Sequence, residues 1–307
     1  MPFEDNSCRT SSPNSLSSLI ANPPLSSSDH FLCVLIPFRD RFEELNEFVP
    51  SINDFLKRKS IPHAIFVINQ LDTFRFNRAA LINAGFTESS RILSKMPDLP
   101  NQDCDYVALH DVDLVPLNQH ISYAYPEKGP FHVAAPGLHP KYDYPSFLGG
   151  ILLIQRYHFR LVNGMSNKYW GWGLEDDEFH RRLIDSSLQV QRPVNITTGK
   201  DKTFKHFHHA RKRKRDMSKC YNQHEVTRRR DRETGLESVK YKMLRAYQNC
   251  IDNVPYTLLN VLLECDRQVT PWCDCKDAPP VEKPKHLTRD EDVIVPIIKR
   301  KPKKTSL

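Results

Sequence analysis

Hydrophobic positions in the first half of the chain fall into blocks that alternate between two kinds of element. Residues 31–36, from Phe31 to Ile36, form an unbroken apolar run of strand length, the pattern of a strand buried on both faces. After Pro37-Phe38-Arg39-Asp40-Arg41, the residues Phe42, Leu45, Phe48, Val49, Ile52, Phe55 and Leu56 recur at helical spacing, and Pro50 predicts a break or kink among them. A second buried strand is expected over 63–68, a second helix over 76–84 and a third strand over 106–109. Further strands are expected over 131–135 and 147–154, with Gly149-Gly150 inside the latter marking a bulge or a ligand lying against the backbone. A short helix follows over 157–162.

Strand, helix, strand, helix, strand predicts an α/β fold: a mostly parallel, Rossmann-like sheet flanked by helices, with ligands bound outside the carboxyl ends of its strands. The residues at those ends carry chemistry. Arg39 and Arg41 follow the first strand, Asn69-Gln70-Leu71-Asp72 the second, and His110-Asp111-Val112-Asp113 the third. Two carboxylates one residue apart can share a divalent cation and a diphosphate, and nearby arginines suit phosphate oxygens.

Trp170-Gly171-Trp172-Gly173-Leu174-Glu175-Asp176-Asp177-Glu178 is the densest chemical stretch. Its glycines allow sharp turns and close backbone approach, its indoles offer flat faces for sugars, and its acids suit the positive end of a helix. A carboxylate beside an apolar wall can also serve as a general base. In His206-Phe207-His208, alternate residues of an extended segment point the same way, so both imidazoles can reach one metal while Phe207 points inward. A basic surface segment is the other reading of that stretch.

Composition narrows the picture. With 307 residues, 39% hydrophobic, there is material for one large domain or two small ones. No apolar run is long enough to span a membrane, and the first thirty residues, rich in Ser, Pro and Asn, lack the apolar core of a signal peptide. The net charge of +7 is concentrated in runs at 211–215, 228–232 and 299–304. These runs read as solvated faces or tails, or as a site for an acidic polymer. They lack the interleaved aromatics of a single-strand binder, so no nucleic-acid partner is expected. Cys265, Cys273 and Cys275 look like a cross-linked cap; without paired Cys-x2-Cys motifs, disulfides of a secretory compartment are favoured over zinc. Asn195-Ile196-Thr197 is a glycosylation sequon compatible with that address.

Seven segments in one order resemble the β-1,4-galactosyltransferase family: Pro37-Phe38-Arg39-Asp40-Arg41, Val67-Ile68-Asn69-Gln70, Phe76-Asn77-Arg78-Ala79, Asp111-Val112-Asp113, Phe147-Leu148-Gly149-Gly150, Asn163-Gly164-Met165-Ser166-Asn167 and the Trp-Gly-Trp-Gly acidic block. They span roughly residues 31–275. His206-Phe207-His208 and Thr270-Pro271-Trp272-Cys273 resemble the branch that acts on xylosylated protein.

The resemblance implies a GT-A fold. It also implies an inverting, Mn²⁺-dependent transfer of galactose from UDP-galactose to the 4-hydroxyl of a β-xylose on a proteoglycan core serine. Carried over by motif, Asp113, His206 and His208 would bind Mn²⁺, although the residues alone leave Co²⁺ and Fe²⁺ open. Pro37, Phe38, Arg39, Arg41, Phe76, Arg78, Asp111 and Trp172 would hold the nucleotide sugar. Asp176 would be the base, with Tyr142, Tyr144, Phe147, Gly150, Trp172, Glu175 and Asp177 around the sugars. Inversion in one step needs base and metal on opposite sides of the anomeric carbon, and Asp176 and Asp113 lie on different elements. Closure of a lid built on the glycines around Trp172 and on the His208 loop is expected.

Phe147 departs from the tyrosine that galactose-using members commonly place two positions before the paired glycines. It leaves N-acetylgalactosamine open as a donor, alongside an N-acetylglucosamine acceptor or a non-catalytic sugar-binding relative as alternative readings. The expected division of the chain is a disordered leader over 1–29, one catalytic domain over 30–277 and a basic tail over 278–307. A Golgi lumen address rests on the family alone, since the anchor its members normally carry is absent from this chain.

Overall fold

A computed structural model describes residues 30–95, 103–208, 212–279 and 294; the expected leader and nearly all of the expected tail lie outside these. The first strand, β1 (Leu32–Phe38), is buried along its whole length. Cys33 and Leu35 enter one core cluster, Leu32, Val34 and Ile36 the other, so a single apolar run fills both faces of the sheet. α1 (Phe42–Arg58) follows, then β2 (His63–Gln70), α2 (Arg78–Leu93) and β3 (Tyr106–His110).

Pro50 does not break α1, which runs unbroken for 17 residues. The proline removes one backbone hydrogen bond, but Leu45, Phe48 and Val49 before it, and Ile52, Phe55 and Leu56 beyond it, bury one continuous face against the sheet. α2 extends past the predicted end, to Leu93. Its polar second half misled the periodicity, because Asn83, Glu88 and Ser89 are buried. Gly85 lets this helix lie close on β2: a Cβ there would stand 2.6 Å from the Ile68 side chain.

β4 (Leu114–Pro116) and β5 (Phe131–His132) come next, then β6 (Ile151–Gln155), α3 (Arg156–Leu161), α4 (Glu175–Asp185), α5 (Lys200–Thr203) and β7 (Phe204–His206). Only two residues of the expected 131–135 strand pair. The strand expected over 147–154 begins at Ile151, because Gly150 adopts φ +80°, which ends an extended segment. After α6 (Gln223–Val226), a long hairpin of β8 (Tyr241–Ile251) and β9 (Val254–Leu263) closes the fold.

The main sheet has the order β5-β6-β3-β1-β2-β9-β8. β3, β1, β2 and β9 are mutually parallel, while β5, β6 and β8 form antiparallel pairs at the two edges. A separate two-stranded ladder joins β4 to β7. Disulfides link Cys33–Cys104, Cys220–Cys275 and Cys265–Cys273, and Cys250 is disulfide-bonded as well. The cross-linked C-terminal cap is present; the bridge under β1 had no signal in the spacing. No helix among the described residues is long and apolar enough to cross a membrane.

Candidate active site

The functional side chains collect where the parallel strands β1, β2 and β3 end. The β4–β7 ladder does the decisive positioning. Its register sets Leu114 opposite His206, and the Phe207 amide donates to the Asp113 carbonyl at 2.9 Å. Phe207 packs on the core, so its two neighbours face Asp113. His208 Nδ1 lies 3.5 Å and His206 Nε2 3.8 Å from Asp113 Oδ2, and the two imidazoles stack with centroids 5.7 Å apart.

Donors sharing a first-row ion at about 2.1 Å stand roughly 3 Å apart when adjacent and about 4.2 Å when opposite, and both oxygen–nitrogen separations fall between these values. Among the described residues no group of three or more His, Cys, Asp or Glu has the geometry of a formed metal centre. Burial pushes the Asp113 carboxyl up, but the bond from His208 and the charges of His206 and Arg41 bring it below its ordinary value. A carboxylate beside two imidazoles is a mixed oxygen and nitrogen donor set that suits Mn²⁺.

Asp111, two residues back, is paired with Arg78. Arg78 Nε donates to its Oδ1 at 2.8 Å, and Arg78 also holds Glu175 at 4.0 Å. Burial opposes the Arg78 charge, yet Asp111, Glu175 and Asp176 together raise its pKa. α4 presents Glu175, Asp176 and Asp177 in its first turn, entered through Leu174 at φ +73°. Burial raises all three carboxyls, Glu175 to about 7 and Asp177 to about 8, with the Asp176 charge adding to both. An N-terminal helix turn is the place where such crowded acids can stay poised as bases.

The paired glycines run between these two centres. A Cβ on Gly149 would lie 3.0 Å from Asp176 Oδ2, and one on Gly150 3.3 Å from the His139 ring, whose centroid is 5.7 Å from that of His206. Phe147 is walled by Tyr142, Tyr144, His132 and His139, with centroids 5.0, 5.4, 5.4 and 5.1 Å away. Trp172, 41% exposed, stands beside this cluster, 6.5 Å from Tyr142. Asp177 accepts from Ser146 at 3.4 Å.

The residues expected at the nucleotide divide. Pro37 and Phe38 are buried, Phe38 completely, so they shape the end of β1 from below and offer no surface to a ligand. Arg39 donates to the carbonyls of Phe74, Asp72 and Gln70 at 2.7, 2.9 and 3.4 Å and lies 5.9 Å from the Phe76 ring, which makes it the support of the loop that presents Phe76. Arg41 donates to Glu44, and its charge acts on Asp113.

Three further residues have structural weight that pattern alone does not reveal. Arg75 donates to Asp216, Gln223, the Trp272 carbonyl and the Ser218 carbonyl, and sits where any Cβ on Gly171 would collide with it. Arg215 lies 4.5 Å over Trp172 and 5.4 Å over Tyr142. Glu44 accepts from Arg213 as well as Arg41. The basic run is therefore largely spent within the molecule: Lys212 pairs with Glu43, Arg213 with Glu44, and Arg215 covers the indole.

Residues 129–209 match the family model described as the N-terminal domain of galactosyltransferase, and residues 9–126 the model described as the N-terminal region of glycosyl transferase group 7. Beta-1,4-galactosyltransferase 7 of Drosophila melanogaster is 57% identical over 249 residues, 81% of this chain and 74% of the relative. The chain belongs to the β-1,4-galactosyltransferase family. Within that family, beta-1,4-galactosyltransferase 7 of Homo sapiens is 52% identical, covering 80% of this chain and 71% of the relative. The xylosylprotein 4-beta-galactosyltransferase of Caenorhabditis elegans is 44% identical, covering 81% and 84%.

Two solved structures of the Drosophila galactosyltransferase 7, the catalytic domain with xylobiose and a mutant with manganese, UDP-Gal and xylobiose, superpose with TM-scores of 0.75 and 0.76. Each is 56% identical and covers 80% of this chain and 100% of the solved chain. The fold is the GT-A glycosyltransferase fold.

Proposed function

We propose that this galactosyltransferase-family chain is an inverting enzyme that moves galactose from UDP-galactose to the 4-hydroxyl of a β-xylose on a proteoglycan core serine. One observation carries the reading: the Asp113–His206–His208 donor set and the Asp176 carboxyl stand at the two ends of the short path lined by Gly149 and Gly150. A sugar laid along that path has an anion-holding end and a proton-accepting end. The Drosophila relative's complexes with xylobiose and with UDP-Gal support that choice of sugars.

Asp113, His206 and His208 would hold Mn²⁺, which when bound offsets the charge growing on the departing diphosphate. Arg78 and Arg41 hold phosphate oxygens, and Asp111 accepts from the donor while fixing Arg78. Phe76, on the loop braced by Arg39, packs beside the nucleotide. Asp176 Oδ takes the proton of the xylose 4-hydroxyl as that oxygen attacks the anomeric carbon, the kind of assistance that contributes about 10²–10⁴ in rate. Glu175 and Asp177 orient hydroxyls, Tyr142, Tyr144 and Phe147 form the sugar floor, and Trp172 covers donor and acceptor and excludes water.

The disulfides point to an oxidising lumen, and we assign the reaction to the Golgi. The deciding experiment is turnover of the purified chain with Mn²⁺, UDP-galactose or UDP-N-acetylgalactosamine, and β-xyloside or N-acetylglucosaminide acceptors. Galactosyl β-xyloside is the expected main product. A preference for the glucosaminide, or no transfer at all, would refute the assignment.

A further inference from the structure

We propose that Asn195 carries an N-linked oligosaccharide. Asn195-Ile196-Thr197 is the only Asn-x-Ser/Thr triplet in the 307 residues, and the galactosyl-transfer site makes no use of it. The fold gives this triplet the geometry that the modification needs. Ile196 turns inward onto the second core cluster, and the residues on either side of it face solvent: Asn195 and Thr197 are both exposed, as is Val194 at 77%. Asn195 adopts φ +61°, a turn conformation that asparagine tolerates better than most residues.

The crest is fastened on both sides and left free in the middle. On one flank Arg192 donates to the Pro145 carbonyl at 2.6 Å; on the other Asn118 donates to the Thr198 hydroxyl at 2.7 Å, which also bonds Thr203. Between these anchors the Asn195 and Thr197 side chains make no hydrogen bond within the described residues, so an attached glycan displaces nothing. The second, independent observation is redox state. Cys33–Cys104, Cys220–Cys275 and Cys265–Cys273 are disulfides, and the described residues contain no free cysteine, which places the folding chain in the lumen where lipid-linked oligosaccharides are donated.

In the transfer, Asn195 Nδ2 forms a bond to the anomeric carbon of an oligosaccharide carried on a lipid diphosphate. The carbon–oxygen bond to the diphosphate breaks, its electron pair leaves with the lipid diphosphate, and the amide gives up one proton. No oxidant or reductant takes part.

The test uses the full chain, secreted from animal cells behind a cleavable signal, with the disulfide-bonded fraction selected by its failure to react with maleimide before reduction. Treatment with peptide N-glycosidase F in heavy-oxygen water is expected to remove one glycan and leave a labelled aspartate at position 195. Asn195→Gln and Thr197→Ala each abolish the mass shift, while Thr197→Ser retains it. An unlabelled, unmodified asparagine at 195 in the disulfide-bonded fraction overturns the proposal.

Discussion

Arg213 grips Glu44 with two prongs, Nε to Oε1 at 2.7 Å and a terminal nitrogen to Oε2 at 2.9 Å, and the same buried carboxylate accepts from Arg41 at 3.3 Å. Arg213 lies a few residues past His208, so one side chain of α1 ties the segment bearing the imidazoles to an arginine assigned to the diphosphate. Glu44→Ala is expected to raise KM for UDP-galactose and to expose the bonds after residues 212–215 to trypsin at least fivefold faster. The fork is partly exposed on its arginine side, so the stability loss should be modest, about 1–2 kcal/mol. Equal cleavage rates and an unchanged KM would remove Glu44 from this role.

Asp176→Asn should lower kcat by about 10²–10⁴ while UDP-galactose and Mn²⁺ still bind, since the amide preserves shape and loses only the proton acceptor. Turnover within a few-fold of the parent chain would show that another group takes the proton. Calorimetric titration of donor and metal against the variant supplies the control.

His208→Ala removes one of the nitrogens facing Asp113 and should weaken Mn²⁺ binding at least tenfold. Metal titration followed by electron paramagnetic resonance reads this directly and does not depend on turnover. Unaltered affinity would mean that His208 is not a ligand.

Burial lifts the Glu175 carboxyl to about 7 and that of Asp177 to about 8, with Asp176 adding to both. In the unfolded chain the same groups lose their protons near pH 4. Between these values the folded state binds more protons, so stability is highest at the acid end and falls as pH rises through 7 and 8. Thermal melts of the metal-free protein should therefore show a lower Tm at pH 8 than at pH 5.5, by about 2–4 °C for each kcal/mol. Asp177→Asn should flatten that slope; a slope unchanged by the substitution would assign it to other groups.

Phe147 lacks a hydroxyl at the proposed sugar floor, where its ring meets Tyr142 and Tyr144. Phe147→Tyr is expected to increase the ratio of kcat/KM for UDP-galactose over UDP-N-acetylgalactosamine by roughly 2–10-fold, the worth of one hydrogen bond. Parallel assays with both donors decide it, and an unchanged ratio would mean that this position does not read the donor.

Much of the layout was legible because β1, β2 and β3 are short apolar runs whose polar successors sit at the strand ends, where an α/β sheet gathers its chemistry. The order Asp111, Asp113, Glu175, Asp176, His206 and His208 was readable as a set only through the family pattern. What brings Asp113 to the imidazoles is the three-residue β4–β7 ladder, far too short to leave a period. The β8–β9 hairpin is hard to read from pattern even though Asp252 and Asn253, both at positive φ, are the two-residue turn that such hairpins favour. Exposure of much of β8 blurred its alternation. The contacts of Arg75 and Arg215, and the fork between Glu44 and Arg213, carry no local signature, because the partners are distant in sequence.

The place of β9 in the sheet also bears on how the protein is born. Asn69 of β2 waits for Asn260 of β9, 191 residues later. At ribosomal speeds of about 5–20 residues per second the waiting time is roughly 10–40 s. During that interval an apolar strand lies bare along one side while the residues assigned to the sugar-transfer centre, from Asp111 to His208, are still being made. An unpaired strand edge of this kind can template wrong pairings until the last hairpin arrives to cover it.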